Sequence, residues 1–491
     1  MSTGKTIAKN ASWLLFATAG QKLLAFAAFT IAARIVGKNV TGEYFFAVAI
    51  TSTFVVIADL GLTPVVIRAM AADSERGRRF LGAAMRIKAG LIPIAIVAAL
   101  VYAGIRDADL AVWKTLFVMV AVMSLDTIHL AFYGVLRGSQ RLSFEAIGMF
   151  VGQVLTTLMA VSAALLGWGA PGLAAALCVA SAWNVGWAKY QIDRCGCSSL
   201  PATRDDVRTV IRQAVPFALA GIFVKVYSYL DTMVIEAFHG TGSVGAYAVA
   251  YKVTYAFQFL PLVFVAALYP AMSAVYSKGD RRELTSILTE SLRLMAIVGA
   301  PIAAGISAIS PRFIPLFYGT EFLTSIPALS ALSWVLIPIF LDFPVGSMLN
   351  ASHRAHLKTI AMGGAMVVNA VANILLVPAY GPIGAAWAGL ISFTFLLFVG
   401  IYFVRKDLPS MRWFAFLFMR SWLVGGAIWI AVRFLGVSMP FTFSVLFGAA
   451  VGVTAMLLVR LLTFADVRMA YAWLHRKIGR SEDPEDENLH A

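Results

Sequence analysis

Charge is what this chain has least of. Only 13% of its 491 residues are Asp, Glu, Lys or Arg, against 60% hydrophobic residues and a mean hydropathy of +0.82. A soluble fold of this length cannot bury so much apolar surface, so the solvent for most of the chain is lipid. Cysteine is scarce too. Three residues make no disulfide framework, and Cys195-Gly196-Cys197 has no second ligand pair nearby, which argues against a metal site. No complete G-x-x-x-x-G-K-[ST] loop occurs: Gly4-Lys5-Thr6 lacks the upstream glycines, so the chain does not power itself with nucleotide. No nucleophile–base constellation stands out, and the short loops leave no room for a catalytic outer domain.

What is there is a series of apolar stretches of spanning length: six within 11–189, six within 213–404 and a last pair within 414–462. The expected fold is an all-α polytopic membrane protein of about fourteen transmembrane helices. It divides into an N-terminal lobe (1–190), a linker (191–212), a C-terminal lobe (213–404), a helix pair (405–462) and a tail (463–491). Within that tail, 466–480 reads as a surface amphipathic helix and 481–491 as an acidic segment. Lysine and arginine concentrate in alternate loops, among them Arg76, Arg78, Arg79, Arg141, Arg204, Arg281, Arg354 and Lys358. By the positive-inside rule both termini are cytoplasmic. The net charge of +14 reflects this bias, and anionic headgroups suffice to explain it without nucleic acid.

The chain also repeats itself. Gly37-Lys38-Asn39-Val40-Thr41-Gly42-Glu43-Tyr44 recurs as Gly240-Thr241-Gly242-Ser243-Val244-Gly245-Ala246-Tyr247. Leu136-Arg137-Gly138-Ser139-Gln140-Arg141 matches Leu349-Asn350-Ala351-Ser352-His353-Arg354, and Gly169-Ala170-Pro171-Gly172 matches Gly381-Pro382-Ile383-Gly384. An even number of helices per copy sets both copies the same way through the bilayer, related by an axis along its normal.

In the first register Lys22 falls on Lys225. Arg86, Lys88, Arg293, Arg420 and Arg460 read as close enough to helix ends to snorkel, which leaves Lys22, Lys225 and Lys252 at depth. Each would cost about 2.5–3.5 kcal/mol facing lipid, so each is expected to face a hydrated or ion-paired interior. Tyr229 and Thr232 continue a polar stripe from Lys225, and Tyr255 accompanies Lys252. The functional reading is a cationic cavity for an anionic substrate; the alternative is structural pairing with buried carboxylates. The deep carboxylates Asp59, Asp126, Asp231 and Asp342 are candidates to bind a coupling proton or sodium ion, or to neutralise a lysine.

The repeat, the helix count and the motifs Ala33-Arg34-Ile35-Val36-Gly37, Gly42-Glu43-Tyr44, Ala58-Asp59-Leu60-Gly61-Leu62 and Val66-Ile67-Arg68 resemble one known family. It is the polysaccharide-transporter (Wzx-type flippase) branch of the multidrug/oligosaccharidyl-lipid/polysaccharide exporter superfamily. The resemblance implies a transporter, not an enzyme, in the bacterial cytoplasmic membrane. It implies movement of an undecaprenyl-diphosphate-linked oligosaccharide (an O-antigen or exopolysaccharide repeat unit) by alternating access and ion-gradient energy. The implied partners are membrane lipids and the polysaccharide polymerase or chain-length machinery, with no cofactor beyond H+ or Na+. Export of small cationic molecules, lipid II flipping and an integral-membrane glycan enzyme stand as alternatives.

Overall fold

The computed structural model describes residues 3–463, with side chains from Gly20 onward apart from Ala220, Ala267 and Val437. The expected amphipathic helix at 466–480 and acidic tail at 481–491 lie outside the described residues, as does the side chain of Thr18, expected from its place four residues before Lys22 to share a polar stripe with it. The helices are α1 (Thr3–Asp59), α2 (Leu62–Ala72), α3 (Ser74–Ile105), α4 (Leu110–Gly138), α5 (Leu142–Leu165), α6 (Gly169–Arg194) and α7 (Arg204–Ala256). They continue with α8 (Phe259–Lys278), α9 (Arg281–Phe317), α10 (Ser325–Leu332), α11 (Leu336–Ala351), α12 (Ala355–Phe403), α13 (Met411–Ile430) and α14 (Phe441–Leu458). Among the described residues no strand forms, and ten helical stretches are long and apolar enough to cross a membrane.

Three helices are too long to be single spans. Straight, the 57 residues of α1 would reach about 85 Å, nearly three hydrocarbon thicknesses. The chain turns instead at Gly37, where φ is 80°. Phe29 and Phe45, eight residues to either side, both lie close to the Lys252 ammonium, with ring centroids at 5.5 and 5.7 Å. In a straight helix they would stand about 24 Å apart. α7 folds back likewise at Gly240 (φ 74°), so that Tyr247 hydrogen-bonds Asp231 across the turn. α12 folds at Gly381 (φ 55°), where Asn369 Nδ2 donates to Ser392 Oγ at 3.2 Å. Each hairpin needs a positive φ at one residue, which glycine adopts without strain. Divided at these turns, the helices are compatible with fourteen spans.

The sequence repeats recur as backbone geometry. Gly37 and Gly240 share nearly the same conformation, with ψ of 177° and 175°. The turn after α4 and the turn after α11 match bond for bond. Arg141 N donates to Leu136 O and Arg354 N to Leu349 O, both at 2.8 Å, and Gln140 and His353 both adopt φ 58°. The first repeat also marks where the halves touch. A Cβ on Gly42 would overlap Thr241 O, and one on Gly245 would overlap Lys38 O. Thr241 and Lys38 are themselves equivalent in that register. The contact is therefore reciprocal, as at a two-fold axis.

Several expected spans are interrupted. The stretch 43–68 breaks at Leu60 and Gly61 (φ 41° and 72°), so the bend precedes Pro64, which sits in the first turn of α2. The stretch 245–275 breaks between α7 and α8, and 325–349 passes through a short 3-10 turn at Ser333–Val335. Apolar periodicity alone does not register such breaks, because the segments on both sides stay apolar.

Large apolar side chains point outward along one face of each peripheral helix: Ile94, Val97, Val101 and Ile105 on α3, and Val367, Val371 and Ile374 on α12. Exposed stripes at helical spacing suit lipid and would aggregate in water. This is a multi-pass membrane protein. The C-terminal pair is held to the second half by Trp422 stacked on Trp334 (5.2 Å, 11°). Arg312 reinforces it, donating to Gly436 O, Met439 O and Ser444 Oγ.

Candidate functional site

The break at Leu60–Gly61 places Asp59 on the wall of a cavity of about 390 Å³. Its polar lining is Thr51, Ser52, Asp59, Asp126, Ser181 and Lys225, the lysine reaching over from α7. Three of the predicted residues therefore share one chamber: Lys225, Asp59 and Asp126. Lys225 Nζ lies 5.8 Å from the Tyr229 ring centroid. Asp59 accepts from Lys88 Nζ and from Thr63 Oγ1 (2.7 Å), and Lys88 also donates to Thr127 O at 3.0 Å. Asp126 accepts from Ser181 Oγ at 2.6 Å, with His129 Nδ1 at 3.5 Å.

Lys88 corrects the sequence reading. It was expected to snorkel to a helix end, yet it is 0% exposed. It lies 14 residues into α3, about 21 Å from that helix's start, and Asp59 lies about 20 Å from the end of α2 at the same face. The two charges meet at equal depth, and Lys88 pairs with Asp59 instead of reaching outward. Asp59 is thereby a partnered carboxylate.

Lys252 is exposed to a second cavity, of about 200 Å³, that it shares with Thr41, Tyr44, Gln153 and Thr156. Its ammonium is held between the Phe29 and Phe45 rings. Lys22 lines a third, apolar cavity of about 210 Å³ with Phe26, Phe257 and Phe313. Each deep lysine thus opens onto a cavity of its own. Among the described residues none of the three has a carboxylate partner.

The second half carries a polar chain of its own. Asp231 is buried and accepts from the Tyr247 hydroxyl and from Thr232 N (2.9 Å). Thr232, expected to extend the Lys225 stripe into a cavity, is packed at 1% exposure. Tyr227 bonds Ser392 at 3.2 Å, Ser392 accepts from Asn369, and Asn373 bonds Asn369. Asp342 shares a cavity of about 190 Å³ with Lys358, Tyr227, Gln258 and Phe393. Lys358 was read as a loop residue, but its ammonium turns inward against Gly346, where any Cβ would overlap it. No cluster of three potential metal ligands occurs among the described residues.

The two halves are tied at the Gly37–Gly240 face. Arg106 Nε pairs with Glu236 at 3.2 Å and its Nη2 donates to Ala237 O; Thr30 bonds Tyr318 at 2.9 Å; Arg34 donates to Leu316 O.

Comparison with known proteins agrees with this architecture. The profile of the polysaccharide biosynthesis protein family matches residues 7–276, and that of the MatE family matches residues 216–375. A probable low-salt glycan biosynthesis flippase, Agl15, of Haloferax volcanii is 24% identical over 376 residues, 75% of this chain and 77% of that protein. The lipopolysaccharide biosynthesis protein WzxC of Escherichia coli is 28% identical over 167 residues, about a third of either chain (34% and 32%). Among solved structures, the lipid II flippase MurJ in an inward closed conformation superposes with a TM-score of 0.75 over 92% of this chain and 99% of that one, at 15% identity.

Proposed function

Because the chain belongs to the polysaccharide biosynthesis protein family, we propose that it is a flippase that carries a lipid-linked oligosaccharide across the membrane. The substrate is an O-antigen or exopolysaccharide repeat unit on undecaprenyl diphosphate, and the membrane is the bacterial cytoplasmic one, with both termini on its inner side. The lobes 1–190 and 213–404 rock against each other, so that the cavities between them open to one leaflet and then the other. The chain performs no covalent chemistry.

One observation carries this reading: Lys22, Lys225 and Lys252 stand inside the bundle facing cavities, with no carboxylate partner among the described residues. A diphosphate cannot cross about 30 Å of hydrocarbon unaided. A lysine about 4 Å from one of its charges returns about 4 kcal/mol at an effective dielectric of 20. Spread over successive cavities, the cations offer the diphosphate a relay instead of a trap.

For coupling to an ion gradient, Asp231 is the carboxylate best suited. Asp59 is neutralised by Lys88 and Asp342 faces Lys358, whereas hydroxyl and amide groups surround Asp231. H+ or Na+ would bind it, with Asp126 as a second candidate. Polymerase and chain-length proteins would receive the flipped product.

The MatE match over 216–375 favours a second reading, export of small cationic molecules, but three unpaired lysines would repel such a cargo. Lys22→Ala combined with Lys225→Ala and Lys252→Ala separates the two. Loss of surface polysaccharide, more than about tenfold, with unchanged drug sensitivity supports flipping. Intact polysaccharide with raised drug sensitivity overturns it.

A further inference from the structure

Tyr247, Tyr251 and Tyr255 recur at every fourth residue on the second limb of α7 and so share one face. Their rings form a ladder, with centroids 6.2 Å apart for Tyr247–Tyr251 and 4.3 Å for Tyr251–Tyr255. The ladder continues through Phe393, 6.3 Å from Tyr255, to Tyr227, 5.1 Å further on. At its near end Phe45 of the first half lies tilted against Tyr251 at 5.9 Å and borders the Lys252 ammonium. At its far end Tyr227 and Phe393 open onto the cavity that holds Gln258, Asp342 and Lys358.

The hydroxyls divide the ladder in two. Those of Tyr247 and Tyr227 are occupied by Asp231 and Ser392. Tyr251 and Tyr255 are only half-buried. Among the described residues their hydroxyls have no partner, and neither is sealed from solvent. Hydroxyls left open to solvent on otherwise packed rings can exchange their water for the polar groups of a ligand. Two adjacent rings with free hydroxyls, a cation at one end and a carboxylate, an amide and an ammonium at the other, suit a ligand with particular chemistry. It has flat C–H faces to lie on aromatic rings, many hydroxyls to exchange hydrogen bonds, and an anionic group at one terminus. A sugar chain on a diphosphate is such a ligand; a bare lipid or an apolar cation is not.

We propose that the Tyr251–Tyr255–Phe393 ladder is the subsite for the glycan, with the diphosphate at Lys252 and the sugars running toward Asp342 and Lys358. This rests on the flippase reading and specifies where the cargo is recognised. The subsite would read glycan, while the lysines read phosphate.

The test uses the full-length protein in proteoliposomes with two fluorescent probes, polyprenyl diphosphate bearing a short oligosaccharide and the same lipid without sugar. The measured quantity is the ratio of their transport rates. For Tyr251→Leu and Tyr255→Leu the ratio should fall about tenfold, the effect of losing one or two aromatic contacts. Tyr251→Phe, which keeps the ring and loses the hydroxyl, should fall less. A ratio unchanged in the leucine variants, whether both rates hold or both drop together, overturns the subsite and makes the ladder a packing feature. Wild-type protein that moves neither probe overturns the flippase reading itself, and the subsite with it.

Discussion

At the residue scale the Asp59–Lys88 pair is the most consequential contact. Its lysine side chain is 1% exposed and its carboxylate 24% exposed, so the two members differ in what their loss leaves behind. Removing Asp59 strands a buried ammonium; removing Lys88 strands a carboxylate that still meets the cavity and Thr63. Breaking a buried pair costs about 3–5 kcal/mol. Asp59→Asn should therefore sit at the upper end of that range and Lys88→Met below it, with the double variant milder than Asp59→Asn alone. Thermal unfolding in detergent checks the order, and equal losses would contradict it. The sequence makes Asp59 visible as a deep carboxylate but hides its partner. Lys88 lies on a different helix, and only the equal depths of the two residues from a common face bring them together. Lys358 was hidden for a similar reason, its inward turn depending on the absence of a side chain at Gly346. In the register that pairs Gln140 with His353, Lys358 stands where the first half has Glu145 and Asp342 where it has His129. The repeat marks both as polar positions in each half.

At the element scale the hairpins at Gly37 and Gly240 govern how the halves meet. Gly42 and Gly245 let two backbones approach until each limb rests on the other's carbonyl. Gly42→Ala or Gly245→Ala should each cost about 1–3 kcal/mol by forcing the limbs apart. Because both act on one contact, the double variant should cost less than the two singles together. Melting curves of the three proteins decide it, and strict additivity would mean that the contact is not shared. The repeats were legible because turns are built from few residues with strict backbone demands, and those demands survive when the flanking apolar residues change. The breaks at Leu60, Phe257 and Ser333 were not legible. Tertiary packing sets them, and lipid-facing and core-facing residues are equally apolar in a membrane helix.

For the whole molecule, the polar ties at the Gly37–Gly240 face describe a closed state on that side. Arg106 and Glu236 join the halves there with side chains 31% and 10% exposed. Arg106→Glu should part them, and adding Glu236→Arg should restore closure. Spin-label distances between Asp107→Cys and Thr320→Cys, in a background free of the three native cysteines, report the gap. A distance that ignores both substitutions would show that the pair does not hold this face. Fold class was available from hydropathy alone, whereas the division of charge among separate cavities required the packing. The reciprocal seat of Gly42 on Thr241 and of Gly245 on Lys38 reaches beyond gating. An interface in which each side offers the other the same surface is what identical subunits form, so at this seat the two halves of one chain meet as the subunits of a homodimer would.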